Sequence, residues 1–312
     1  MSRIACGMAV AALLAAGLPA GAAAKDTVLE IQVAEQLDAA INAGKAFEAA
    51  ALFADDATVK EPGGKTLTGK VQIEAWLQLI TAEAWHVDSG NLQLSDGGRV
   101  TWTASVVYAS AKQLGVTPLD AFVEAVVLGG KIRSLVVRFS SAAQLRLTQA
   151  RAKADEALAR SLVDEVLTKG DLGRADAILS SDFANHDPMA VKATAALGFK
   201  TTVTSMRTAF PDLAYAIEEV FVSGDRVVIR GTCSGTQRGA YMGSPASGRP
   251  FKAEFIEILR VADGKVAERW SQRDSYTMLQ QLGFGIAPPP PPAPAVSATA
   301  TGQPVEKKKG WF

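Results

Sequence analysis

An α+β fold in two successive units is what this chain predicts, and three observations carry that expectation. Helical periodicity opens each half, β-branched runs with turn signals between them close each half, and landmarks recur at one offset. In the first half Leu29, Val33, Leu37 and Ile41 recur at helical spacing, and Gly44 follows where a helix stops. In the second, Leu158, Leu162, Val163, Val166 and Leu167 form the stripe and Gly170 is the stop. Gly44 and Gly170 lie 126 positions apart, as do Pro62 and Pro188, which close the segments beginning at Asp56 and Asp182. Two landmarks at one offset argue for duplication.

The strand-forming runs follow the helices in both halves. Val100 to Ala109 and Ala121 to Leu128 read as strands in the first, Arg226 to Thr236 and Ala253 to Val261 in the second. Gly97-Gly-Arg-Val100 corresponds to Gly224-Asp-Arg-Val227, and Gly130-Lys131 to Gly264-Lys265. Helices followed by an antiparallel meander predict a curved sheet packed on helices, whose concave face is where small ligands bind.

Length and composition agree with two domains. The chain has 312 residues, 48% of them hydrophobic, against a usual domain size of about 150 residues. Basic and acidic residues balance at 32 each, so the total charge gives no reason to expect a nucleic-acid partner or an anionic membrane. Arg3, the apolar stretch from Ile4 to Leu18 and the small residues ending at Ala24 have the layout of a cleavable secretory signal, which predicts export to the periplasm or beyond. The stretch is shorter than the roughly 20 apolar residues of a spanning helix, so no integral membrane segment is expected after cleavage.

Cleavage leaves Cys233 as the sole cysteine, which excludes an intrachain disulfide. With only His86 and His186 in the chain and no second histidine or cysteine near either, no metal site and no cofactor are expected. Residues 285–312, with Pro288 to Pro292 and Lys307 to Lys309, read as a disordered tail. The expected organisation is a signal at 1–24, a first domain at 26–145, a second at 150–284, and the tail.

The second half has the richer set of polar residues. His186 and Asp187 precede Pro188, Glu254 and Glu257 share one strand, and Glu268, Trp270, Gln272 and Asp274 alternate along the last strand and so share a face. A carboxylate beside an aromatic wall in an apolar cup has its pKa raised by desolvation, which suits proton transfer near neutral pH, and Glu268 fits that description best. The other reading pairs Glu268 with Arg260 or Arg273 on the outer face of the sheet. His186 either caps a turn or lines the pocket, and Trp270 is a cavity wall or a core residue.

Phe210-Pro-Asp-Leu213, Gly235-Thr-Gln-Arg-Gly239, Arg260-Val-Ala-Asp-Gly-Lys265, Glu268-Arg-Trp270 and Gln280-Gln-Leu-Gly283 are ordered and spaced as in the SnoaL-like polyketide and ester cyclases, which residues 155–284 resemble. The resemblance implies the cone fold shared with nuclear transport factor 2 and ketosteroid isomerase, hence two tandem cones of the NTF2-like type, since the first half shares the layout. It also implies a general base that removes a proton next to a carbonyl, and that position maps onto Glu268. The family's histidine position maps onto Glu254, and Gln237 stands where relatives commonly carry histidine. His186 matches the pattern. In the first half Ser134 and Val136 stand at the places of Glu268 and Trp270, and Asp120 at that of Glu254, so that half is expected to be structural or ligand-binding.

The expected function is therefore that of an exported protein binding a small, apolar carbonyl compound. Glu268, His186 and Asp274 would carry metal-free acid–base chemistry (aldol cyclisation, isomerisation or hydrolysis), and Trp270, Glu254, Gln272 and Asp187 would contact the substrate. The alternative is a non-catalytic periplasmic binding or scaffold protein. A pseudo-dimer of the two cones within the chain is a further expectation.

Overall fold

A computed structural model describes residues 20–187 and 195–285. All but the last residues of the expected signal, and all of the expected tail beyond Gly285, lie outside the described residues. The chain divides into two compact units that meet between Ala157 and Leu158. Both are mixed α and β, and each has its own sheet.

The first unit begins with α1 (Ala20–Asn42) and α2 (Ala46–Ala51), followed by β1 (Phe53–Lys60), β2 (Thr66–Thr68) and α3 (Lys70–Ala82). Then come β3 (His86–Ser95), β4 (Arg99–Val107), α4 (Ala109–Gln113), β5 (Leu119–Leu128), β6 (Lys131–Phe139) and α5 (Ser141–Ser161). The interval 145–150, expected to join the domains, lies inside α5. On α1 the stripe Val33, Leu37 and Ile41 is buried, and Gly44 ends the helical region with φ at 70°. On α3 the buried set Ile73, Trp76, Leu77 and Ile80 has the i, i+3, i+4, i+7 spacing of one helix face.

The second unit opens with a π-helical stretch, Leu162–Thr168, whose Leu162, Val163, Val166 and Leu167 are buried. It continues with α6 (Leu172–Ile178), β7 (Leu179–Asn185), α7 (Ala195–Ala209), β8 (Ala214–Ser223), β9 (Arg226–Thr236), β10 (Pro250–Ala262), β11 (Lys265–Arg273) and α8 (Ser275–Leu282). Gly170, at φ 77°, stops the helix as expected, and a side chain there would collide with Arg207.

The sheet orders are β2-β1-β6-β5-β4-β3 and β7-β11-β10-β9-β8. In each, the last four strands form an antiparallel meander whose last member also has a parallel neighbour, β1 beside β6 and β7 beside β11, and the short β2 pairs antiparallel with β1. The parallel edge was not part of the expected meander. It arises because the segments leading to Pro62 and Pro188 are themselves strands, β1 and β7, and their partners are far away in sequence.

Burial alternates strictly along β9 and β10. Val227, Ile229, Gly231, Cys233 and Gly235 face the helices, as do Phe251, Ala253, Phe255, Glu257, Leu259 and Val261. Gly231 is fixed by close approach, because a Cβ there would lie 2.1 Å from the Ala216 carbonyl oxygen on β8. Among the described residues, no helix is long and apolar enough to cross a membrane.

Candidate functional site

Strand β11 sorts the expected site residues. Ala267, Arg269 and Ser271 are buried on the side facing the helices, whereas Glu268, Trp270 and Gln272 point to the opposite side. The expected shared face of Glu268, Trp270 and Gln272 is therefore real, but it is the outer face of the sheet. Asp274 does not continue it. The strand ends at Arg273, and Asp274 caps α8, its carboxylate accepting the Thr277 N–H at 2.9 Å.

On the outer face a compact charged cluster forms. The His186 backbone N–H donates to the Arg269 carbonyl at 2.7 Å, which extends the parallel β7–β11 pairing and turns the imidazole outward. Its Nε2 lies 3.0 Å from Glu268 Oε2, and its ring stacks on Trp270 with centroids 4.5 Å apart. The Arg226 guanidinium sits 4.7 Å from the Trp270 ring centre, and Arg260 donates to Glu268 Oε1. This corrects the expected electrostatics of Glu268. The Arg260 hydrogen bond, and after it that of His186, hold its carboxyl below the usual carboxylate range, whereas a desolvated base would lie above it. Glu254 is exposed on the same outer face, and Gln272 is exposed beside it.

The interior holds a different polar set. Arg269 donates to Glu257 Oε1 at 2.6 Å, and the Ser271 hydroxyl donates to the same oxygen at 2.9 Å. Asn185 and Asp187, which alternate inward on either side of His186, accept from the Arg269 guanidinium at 3.2 and 3.3 Å. Arg269 also lies 5.1 Å from the Phe199 ring centre on α7. Beside it Arg273 donates to the Tyr215 hydroxyl at 2.8 Å, and Cys233 is fully buried nearby. Burial pushes the Tyr215 phenol and the Cys233 thiol above their usual values. Of the expected site residues, Asp187 alone belongs to this group.

Four buried atoms of the cluster, Asn185 Nδ2, Glu257 Oε2, Arg269 Nε and Arg273 Nε, have no hydrogen-bond partner among the described residues. Arg269, Arg273, Asp187 and Tyr215 line a cavity of ≈ 20 Å³, closed on the α7 side by Phe199, Val203 and Met206. That is room for one water. Gln237, noted in the sequence as a departure, is 1% exposed and ties down the β9–β10 connection, accepting from the Ser247 hydroxyl at 2.7 Å and donating to the Pro245 carbonyl at 3.0 Å.

The first unit has apolar residues at the matching sheet positions. Asn185 pairs in register with Arg269, as Val59 does with Leu135; Glu257 pairs with Ser271, as Val123 does with Val137; Phe255 pairs with Arg273, as Ala121 does with Phe139. All six first-unit residues are buried. Sequence reasoning named Glu257 among the polar residues without giving it a place in the site and passed over Arg269 and Ser271, although a signal was present. Glu257 lies two residues from both Phe255 and Leu259 and so shares their face.

No curated protein matches the chain. Among solved structures, TsrD from Streptomyces laurentii is 27% identical over 42% of this chain and 96% of its own, with a TM-score of 0.39. IdmH, a putative polyketide cyclase from Streptomyces antibioticus, is 29% identical over 41% of this chain and 98% of its own, with a TM-score of 0.38. A putative polyketide cyclase from Acidithiobacillus ferrooxidans is 23% identical over 41% and 94%, with a TM-score of 0.39. The family comparison falls on the same part of the chain as the interior cluster: residues 157–282 match the model of the SnoaL-like polyketide cyclases.

Proposed function

We propose that the second unit binds a small oxygen-bearing molecule, a ketone or ester, inside its sheet at Arg269, Arg273 and Tyr215, and that Glu268 has no part in the chemistry. The observation that carries this reading is the pair of buried guanidinium nitrogens, Arg269 Nε and Arg273 Nε, left without partners beside a cavity. A buried donor without an acceptor costs about 1–3 kcal/mol, which a ligand carbonyl oxygen placed between the two would recover. Such donors also stabilise the negative charge that develops on that oxygen when a neighbouring carbon loses a proton. The carboxylates on the interior side are Glu257 and Asp187, so proton transfer would fall to one of them. Both pair with Arg269, and of the two only Asp187 lines the cavity, which favours Asp187. A ligand larger than a water needs Phe199, Val203 and Met206 to draw back.

Under the same proposal the two units are copies of one cone, diverged so that only the second keeps a polar interior. The shared sheet plan and the common 126-residue offset support this. Export rests on the composition of residues 1–24. The test is calorimetric titration of the full chain with small keto esters. Saturable binding that disappears in Arg273→Leu and persists in Glu268→Gln is expected. Binding that disappears in Glu268→Gln, or no binding at any attainable concentration, would refute the interior site.

A further inference from the structure

The first unit holds a cleft of ≈ 560 Å³ that the proposed chemistry does not use. Its size is that of a small-molecule site. Three strand ends converge on it. Trp85 precedes β3, Tyr108 follows β4 and Phe139 ends β6, and their rings form a cluster with centroids 4.9, 6.3 and 6.5 Å apart and planes within 26° of one another. Tyr108 and Phe139 are buried and Trp85 is half-buried, while Trp76 of α3 supplies another apolar wall.

The charged groups at the cleft are Glu61, Glu83 and Arg151, and they are not equivalent. The Glu83 carboxylate accepts the Ser110 backbone N–H at 3.0 Å, so it is committed to the first turn of α4. Arg151, exposed on α5, lines the same cleft and brings its positive charge close to Tyr108. Near-parallel rings extend by offset stacking with another flat ring. They do not surround a cation, which needs ring faces turned toward it from several sides. A guanidinium fork beside them matches a carboxylate.

We infer that this cleft is a second binding site, for a flat aromatic or conjugated carboxylate, with its ring on the Trp85–Tyr108–Phe139 cluster and its carboxylate on Arg151. The site does not depend on the interior cluster of the second unit, and it gives the first unit a ligand of its own.

The experiment is calorimetric titration of the full chain with 2-naphthoate, 2-naphthylmethanol and 2-naphthylmethylammonium. Saturable naphthoate binding is expected, with the neutral alcohol about tenfold weaker and the ammonium weaker still. Arg151→Gln should bring naphthoate down to the level of the alcohol, while Arg273→Leu leaves it unchanged. Four outcomes would overturn the inference: no saturation with naphthoate, equal affinity for the alcohol, preference for the ammonium, or indifference to Arg151→Gln. Displacement of naphthoate by a synthetic peptide of residues 286–312 would also overturn it, giving the cleft to the chain's own proline-rich segment.

Discussion

Arg269 reaches across from β11 to Glu257 on β10 at 2.6 Å, and the two side chains are 3% and 1% exposed. Both charges have lost their water, and each is tolerable only because the other is there. Glu257→Leu or Arg269→Met alone is expected to destabilise the second unit by about 3–5 kcal/mol, whereas the double variant should cost far less. Urea titration followed by hydrogen exchange of the β10 and β11 amides measures this. Single costs that simply add in the double variant would show the pair to be uncoupled.

Glu268 gives a pH signature of the opposite kind to a catalytic base. Its carboxyl is held below the ordinary value of 4.5 by Arg260 and His186, so these contacts stabilise the fold above that pH and are lost as pH falls through the lowered value. Glu268→Gln should therefore lose less stability than the parent on acidification below pH 4.5. Parallel acid limbs for the two proteins would contradict the ion-pair account.

In the first unit, Asp38 on α1 shifts the other way. Burial pushes its carboxyl up from 3.8 to about 6, so the folded state keeps a proton that the unfolded chain has released between those values. Stability contributed by this group is present at low pH and falls as pH rises from 3.8 to about 6. Asp38→Asn is expected to remove that slope and to be the more stable protein at neutral pH in thermal melts. An Asn variant with an unchanged profile would place the titration elsewhere.

Asp274 acts at the start of α8 through its bond to the Thr277 N–H. Asp274→Ala should cost about 1 kcal/mol, and Asp274→Ser should restore most of it, as for a helix N-cap. Keto-ester affinity is expected to be the same in both variants. An affinity loss that Ser does not repair would move Asp274 back into the binding site.

Much of the fold was legible because its signals are local. Alternating apolar residues placed β9 at Arg226–Thr236, and glycines able to take positive φ marked the helix stops at Gly44 and Gly170. The parallel β7–β11 edge was not legible, since nothing near Asn185 says that Arg269 lies beside it. The site was half legible for a related reason. A period of two divides β11 into Glu268, Trp270 and Gln272 against Arg269, Ser271 and Arg273, but it does not say which set is inside. The large aromatic Trp270 favours the first set as the inner one, whereas the strand turns that set outward. In the fold Trp270 spends its apolar surface on His186 and Arg226 at the outer face, while two charges neutralise each other within.

Cys233 sits fully buried on the inner face of β9, paired with Ala253 and held as a thiol by its surroundings. An alkylating reagent added to the folded protein can reach it only when the sheet and helices part, so the rate of labelling is a clock for interior breathing. Filling the interior with a ligand should slow that clock, and a native buried thiol then reports occupancy without any dye, tag or substitution.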